Sequence, residues 1–362
     1  MERAFLKNYD GPPLRIMEVC GTHTAAIFRH GVRSFLSPKI RLVSGPGCPV
    51  CVTVPGYIDR CIEICRTPGF ELLCFGDLLK VPGTEMTLSD ARGAGGRARM
   101  IWSPFDALSL AEHEPETVFA VAAIGFETTA PAFGLLLEEA EARGIRNIKL
   151  LTSLKSALVA IDRICAMGEA IDAFLCPGHV SVVTGANAYI PLAEKYGKPF
   201  VIAGFEGEHL LAALQAAVED AAEGRGGVRN FYTEAVSDEG NAKARGIIGR
   251  YFDLRDAEWR GLGNIDGSGY YLKEEEHSRD GSFYVRSRTQ KEPSLLCSVH
   301  SRTQKEPSPC LLSAESCRCG DVILGRIDPD ECPLFGGSCT PAHPIGPCMV
   351  SSEGACGTWY RG

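Results

Sequence analysis

The side chains able to do chemistry in this sequence are above all its thiols. There are 16 cysteines in 362 residues. The stretch "GPGCPVCV" sets Cys48 and Cys51 in a C-x-x-C step. Prolines and glycines stiffen that loop and let its backbone approach a ligand closely. A C-x-x-C pair can cycle between dithiol and disulfide, often with a lowered pKa at its first thiol. Half of a zinc knuckle is the alternative, but no second C-x-x-C stands elsewhere in the sequence. In "EVCGTHT", Cys20 and His23 could share a metal or act as nucleophile and base. A strand-end cysteine packed as a small hydrophobe beside a solvated histidine is an equal contender. Near the end, Cys317, Cys319, Cys332, Cys339, Cys348 and Cys356 crowd together. Four thiolates suffice for an iron–sulfur cluster or a zinc site, and two remain as a dithiol. The steps are C-x-C, then twelve, six, eight and seven intervening residues. Lacking paired knuckles, they favour a cluster over zinc.

Other groups offer weaker signals. "GFETTAP" brings Glu127, Thr128 and Thr129 to a helix start, which suits an anion or, more commonly, a cap. "CPGHVS" places Cys176, His179 and Ser181 in a similar position. His179 is either an acid/base or donor group, or merely a solvated loop histidine. "GFEGEH" brings Glu206 to a strand end. Cys61 and Cys65, at i, i+4 among isoleucines, read as packing residues, and so do Cys74 and Cys165. Cys297 and Cys310 read as incidental. No phosphate-binding G-x-x-x-x-G-K-[ST] or G-x-G-x-x-G turn occurs, so nucleotide binding has little support.

These residues need elements to position them. Short β-branched runs at residues 14–19, 40–45, 70–76 and 98–102 read as strands. A second series follows at 118–126, 148–153, 173–178 and 199–205. Helical patterns at 130–144 and 208–224 fall between them. Strands alternating with helices imply parallel sheets, whose ligands sit beyond the carboxyl ends of the strands. The motifs fall there, after the first, second, fifth, seventh and eighth runs. This predicts one functional face or a cleft between two α/β domains, residues 1–117 and 118–263. Residues 264–316 read as a polar linker or insertion, with "SRTQKEPS" at 287–294 and again at 301–308. Residues 317–362 are too few to bury much alone, and such modules usually need a staple.

Composition bounds the rest. Net charge is −8 with a pI near 5.6 and no basic block, a poor basis for nucleic-acid or anionic-membrane binding. The amino-terminal residues lack a signal-type apolar core, and the longest apolar run is too short to span a bilayer. The cytosol is therefore the expected compartment, and there 16 cysteines point to metal or redox chemistry rather than structural disulfides.

Taken together, "MEVCGTHT", "GPGCPVCVT", "GFETTAP", "CPGHVS" and "CPLFGGSCTPAHPIGPCMVSSEGAC" resemble the HypD family of hydrogenase maturation proteins. The resemblance implies two similar parallel-sheet α/β domains plus a small [4Fe–4S] domain. It implies assembly of the Fe(CN)2CO unit of [NiFe]-hydrogenases with a HypC-type small chaperone and a HypE-type cyanide donor. A HypF-type carbamoyltransferase would act upstream, and the hydrogenase large subunit would be met indirectly. Cys20 would bind the iron under assembly, with His23 beside it. Cys48 and Cys51 would serve redox or ligand transfer. Cys317, Cys332, Cys339 and Cys356 would hold the cluster, leaving Cys319 and Cys348 as the neighbouring redox pair. Residues 274–316 depart from the family pattern. The competing readings are a cluster-fed thiol–disulfide oxidoreductase acting on protein disulfides, and a zinc-stapled interaction module.

Overall fold

The computed structural model describes residues 2–282 and 316–361. Both "SRTQKEPS" copies, Cys297 and Cys310 lie outside the described residues. The eight runs read as strands all form strands, labelled here with the three that follow: β1 (Leu14–Glu18), β2 (Ile40–Ser44), β3 (Phe70–Cys74), β4 (Ala98–Met100), β5 (Val118–Gly125), β6 (Ile148–Lys155), β7 (Ala173–Cys176), β8 (Pro199–Ile202), β9 (Gly227–Asn230), β10 (Phe252–Trp259) and β11 (Gly263–Leu272). They build two sheets. One is five-stranded, β2-β1-β7-β8-β9, and parallel throughout. The other is six-stranded, β10-β11-β6-β5-β3-β4. It is parallel from β6 to β4, with the β10–β11 hairpin added antiparallel at the β6 side.

This order corrects the expected division of the chain. A boundary at residue 117 does not separate the sheets, because each takes strands from both sides of it. The chain lays down β1 and β2 in the first sheet and β3 to β6 in the second. It then returns for β7 to β9 and crosses again for β10 and β11. The boundary at 263 also fails, since it divides the hairpin at the first residue of β11. That strand is internal to its sheet, paired with β10 on one side and β6 on the other. Its sequence, GNIDGSGYYL, holds three glycines, which read as loop; the pairing partner Leu154 and the buried Ile265 and Leu272 hold it as strand. Even residues 279–281 belong to the second sheet: Arg279 donates to the Ile145 carbonyl, and the Gly281 N–H to that of Leu150.

The cores follow the sheets. Long apolar strands such as VFAVAAIG are buried on both faces, as covered parallel sheets require. One apolar cluster is not confined to either sheet. It joins Met17 and Val43 of the first sheet, Cys48, Cys51 and Val52, Trp259 of the second sheet, and Cys319, Ile323, Cys348 and Cys356 of the C-terminal region. That region is loop-rich, with short helices at Cys319–Ile323 and Ala355–Arg361. It is pinned to the first sheet by Arg15, which donates to the Gly325 carbonyl, and by Arg41, which pairs with Asp328 and Glu331 at 3.0 and 3.1 Å.

Candidate functional site

The first crossing between the sheets carries the C-x-x-C loop. β2 ends at Ser44 in one sheet, and the chain next pairs at β3 in the other. Between them the loop folds back on the end of β1. The Gly45 N–H donates to the Glu18 carbonyl at 2.7 Å, and the Gly21 N–H to the Gly47 carbonyl at 3.1 Å. Gly47 is required there. A Cβ on it would stand 2.4 Å from the Cys20 nitrogen and 2.5 Å from its Cα. The close approach expected of this loop is therefore to another segment of the chain, and it sets the residue before Cys48 against the backbone of Cys20.

Cys20 precedes the helix Gly21–Arg29 and is 6% exposed. Burial pushes its thiol up to about 12, and the Glu18 and Glu353 carboxylates act the same way; the backbone N–H groups of His23 and Thr22 oppose them. Glu18 is itself buried, accepting from the Cys20 N–H at 3.1 Å and the Thr24 hydroxyl at 2.5 Å. Desolvation raises it to about 7. Glu353 reaches the same helix start from the C-terminal region, accepting from the Thr22 hydroxyl at 2.8 Å. His23 is fully buried, 3.0 Å from the Ala203 carbonyl through Nε2 and 5.0 Å from the Phe205 ring. Nε2 therefore carries the proton, Nδ1 is an unpartnered acceptor, and burial lowers the ring to about 4.

Cys48 and Cys51 are 4% and 2% exposed. Cys51 donates to Cys48, which draws the Cys48 thiol below its ordinary value despite burial; the Ser351 hydroxyl adds to this. Cys51 moves well up in consequence. It lies within electrostatic reach of Cys319 and Cys348. Those two sulfurs stand 3.0 Å apart, and Cys356 is 3.4 Å from Cys348. Cys319 is raised by its bond to Cys348 and by burial, with the Arg260 guanidinium opposing.

Cys317 is raised to about 12 by burial and then by its sulfur neighbours Cys319, Cys332 and Cys339. Cys317 is thus a neighbour of Cys332 and Cys339, and both Cys317 and Cys356 are neighbours of Cys348. Among the described residues, no three or more His, Cys, Asp or Glu are arranged to hold a metal ion. The donor set nevertheless suits an iron–sulfur group: four thiols within one small region, with Gly346 leaving space where a Cβ would press to 2.7 Å from Cys317 Sγ.

The remaining expected residues divide. His179 is exposed and stacks on Phe205 at 4.2 Å, which puts it beside His23 rather than among the sulfurs. Glu127 does not serve its own helix. It turns to the start of the next one, Ala157–Ala166, accepting from the Ser156 hydroxyl at 2.7 Å and the Ala157 N–H at 3.1 Å. Cys61, Cys65 and Cys74 sit in the core of the second sheet, as packing residues do. Sequence reading gave no role to Glu18, Glu353, Ser351 or Arg260. The two carboxylates stand in quoted motifs, but proximity in sequence does not tell a side chain's direction.

Fold and site together define an α/β protein whose two interleaved sheets and C-terminal region close over a buried set of thiols. The HypD family model, described as "Hydrogenase formation hypA family", matches residues 3–362. The hydrogenase maturation factor HypD of Azotobacter vinelandii is 40% identical, covering 96% of this chain and 88% of that protein. That of Escherichia coli is 39% identical over 99% and 92%. A putative hydrogenase expression/formation protein of Methanocaldococcus jannaschii is 36% identical over 96% and 92%. The chain belongs to the HypD family of hydrogenase maturation factors. Among the described residues, no helix is long and apolar enough to cross a membrane.

Proposed function

We propose that the chain is a cytoplasmic scaffold and thiol relay for assembling the Fe(CN)2CO unit of [NiFe]-hydrogenases. One observation carries this reading: the Cys48/Cys51 and Cys319/Cys348 pairs meet in one buried cluster, and Gly47, next to Cys48, packs against the backbone of Cys20. The iron being decorated is the cargo, and Cys20 is its anchor. With its pKa near 12, Cys20 holds its proton until a cation arrives, so iron binding and deprotonation are one event. A soft thiolate suits low-spin ferrous iron carrying cyanide and carbon monoxide. Glu18 and Glu353 add negative charge that favours the divalent ion. His23 fixes the helix start against the end of β8 through Ala203. Cys48 and Cys51 exchange electrons as a dithiol/disulfide couple.

Cys317, Cys332, Cys339 and Cys356 would hold a [4Fe–4S] cluster, which when bound supplies single electrons. The partners are a HypC-type chaperone sharing the iron and a HypE-type cyanide donor fed by a HypF-type carbamoyltransferase, with the hydrogenase large subunit as final recipient. A reductase acting on protein disulfides fits less well, because its attacking thiol must be accessible and both loop cysteines are sealed.

The test is anaerobic copurification with the small chaperone, with infrared spectroscopy and iron and sulfide quantification. Cyanide and carbonyl stretches with iron beyond the cluster complement are expected. Cys20→Ala should remove that iron and those bands while sparing acid-labile sulfide. Retention of the bands in that variant would overturn the Cys20 assignment.

A further inference from the structure

The two dithiol pairs belong to segments that share no strand pairing, so something must hold them in register. The tip of the β10–β11 hairpin stands between them. At that tip the Arg260 N–H donates to the Val52 carbonyl at 2.9 Å, and Arg260 Nε donates to the Thr53 carbonyl at 2.9 Å. Both carbonyls directly follow Cys51. On its other side the tip meets the helix that begins at Cys319. Gly261, at φ +83°, lies so close to Gly320 that a Cβ would stand 2.6 Å from the Gly320 Cα. The guanidinium is a close electrostatic neighbour of Cys319. Its Nη2 is sealed from solvent and has no partner. A buried, unpaired guanidinium N–H is costly unless it meets negative charge during function.

We infer that Arg260 is a positioning residue for thiol–disulfide exchange between the Cys48/Cys51 and Cys319/Cys348 pairs. This rests on the relay reading above. In the exchange, one sulfur of the Cys319/Cys348 dithiol attacks Cys51 of the oxidised loop pair. The Cys48–Cys51 bond breaks, a mixed disulfide forms, and Cys48 leaves on the side that Ser351 hydrogen-bonds. The second sulfur of the attacking pair then displaces Cys51 and closes the Cys319–Cys348 bond. Two electrons and two protons pass to Cys48/Cys51, with no outside reagent. Arg260 holds the loop by two adjacent carbonyls, which fixes the approach of Cys51. Its side chain is an electrostatic neighbour of Cys319, where charge on sulfur comes and goes during the exchange. The Val52 bond is made by the backbone and survives substitution, whereas the Thr53 bond belongs to the side chain. A lysine could supply charge but not the planar Nε–H that makes that bond while the guanidinium stays near Cys319.

The experiment uses the full chain, fully reduced and anaerobic, pulsed with one equivalent of a small disulfide oxidant. Acid-quenched, alkylated samples are read by mass spectrometry to follow the disulfide between pairs. In the unaltered protein the disulfide should relax between the pairs. Arg260→Met should slow that relaxation at least about tenfold, with reduction of each pair by dithiothreitol unchanged. Arg260→Lys should recover only part of the rate, and it carries the test if the methionine variant does not fold. An unaltered rate in either variant overturns the role of Arg260 while leaving the relay standing. A disulfide that never moves in the unaltered protein overturns the relay, and this inference with it.

Discussion

Cys48 and Cys51 are three residues apart and equally buried, yet their thiols are driven in opposite directions because one donates to the other. Ser351, from the far end of the chain, helps set that bias. Ser351→Ala should therefore raise the pKa of Cys48, and the pH profile of its alkylation, followed peptide by peptide, should move to higher pH. A downward or absent shift would remove Ser351 from the account. Lys155 offers a second test. It is buried, donates to the Glu258 carbonyl at 2.6 Å and lies 5.0 Å from the Trp259 ring centre. Burial lowers it to about 8. A lysine lowered in the folded state penalises folding while charged; the penalty is full below about 8 and fades as pH climbs toward the unfolded value of 10.5. Its ceiling is about 3 kcal/mol. Relative to the unaltered protein, Lys155→Met should be more stable near pH 7 than near pH 10, as measured by denaturant unfolding across that range. The cysteines of this site were legible in the sequence because thiol spacing is itself a signal. The groups that tune them were not, because Glu18, Ser351, Glu353 and Arg260 act through direction and distance that only folding sets.

Among the elements, the parallel strands were legible from β-branched runs bounded by glycine and proline, and two helices fell within two residues of their expected ends. β9, β10 and β11 were missed. β10 buries only three of its eight residues, so neither a continuous apolar run nor clean alternation marked it. The loop between β2 and β3 is the element on which the site turns. Gly47→Ala would force the loop away from Cys20, so it should both destabilise the fold and abolish chemical cross-linking between Cys20 and the loop cysteines. Unchanged cross-linking would show that the two segments need no such approach. Glu127 illustrates a different failure of sequence reading. Its motif was placed at one helix start, and the side chain serves another. Glu127→Ala should cost about 1–2 kcal/mol as a lost cap, and denaturant unfolding gives that figure directly.

At the scale of the whole molecule, the C-terminal region is not an appended domain. Its cysteines and apolar side chains share one core with both sheets. A fragment of residues 316–361 should accordingly lack fixed structure without metal, giving a disordered circular dichroism spectrum, whereas the chain's two sheets and this region should unfold in one transition. A folded metal-free fragment would contradict that expectation.

The interleaved strand order has a consequence for biosynthesis. β1 leaves the ribosome early but pairs with β7, whose residues 173–175 partner residues 16–18. Cys20, Cys48 and Cys51 are thus translated well before the neighbours that shelter them, and Cys319, Cys348 and Ser351 follow only after all eleven strands. Throughout elongation the nascent polypeptide trails naked sulfhydryls, open to oxygen and stray metals. Maturation of this maturation factor should then be sensitive to the speed of translation and to the reducing capacity around the ribosome.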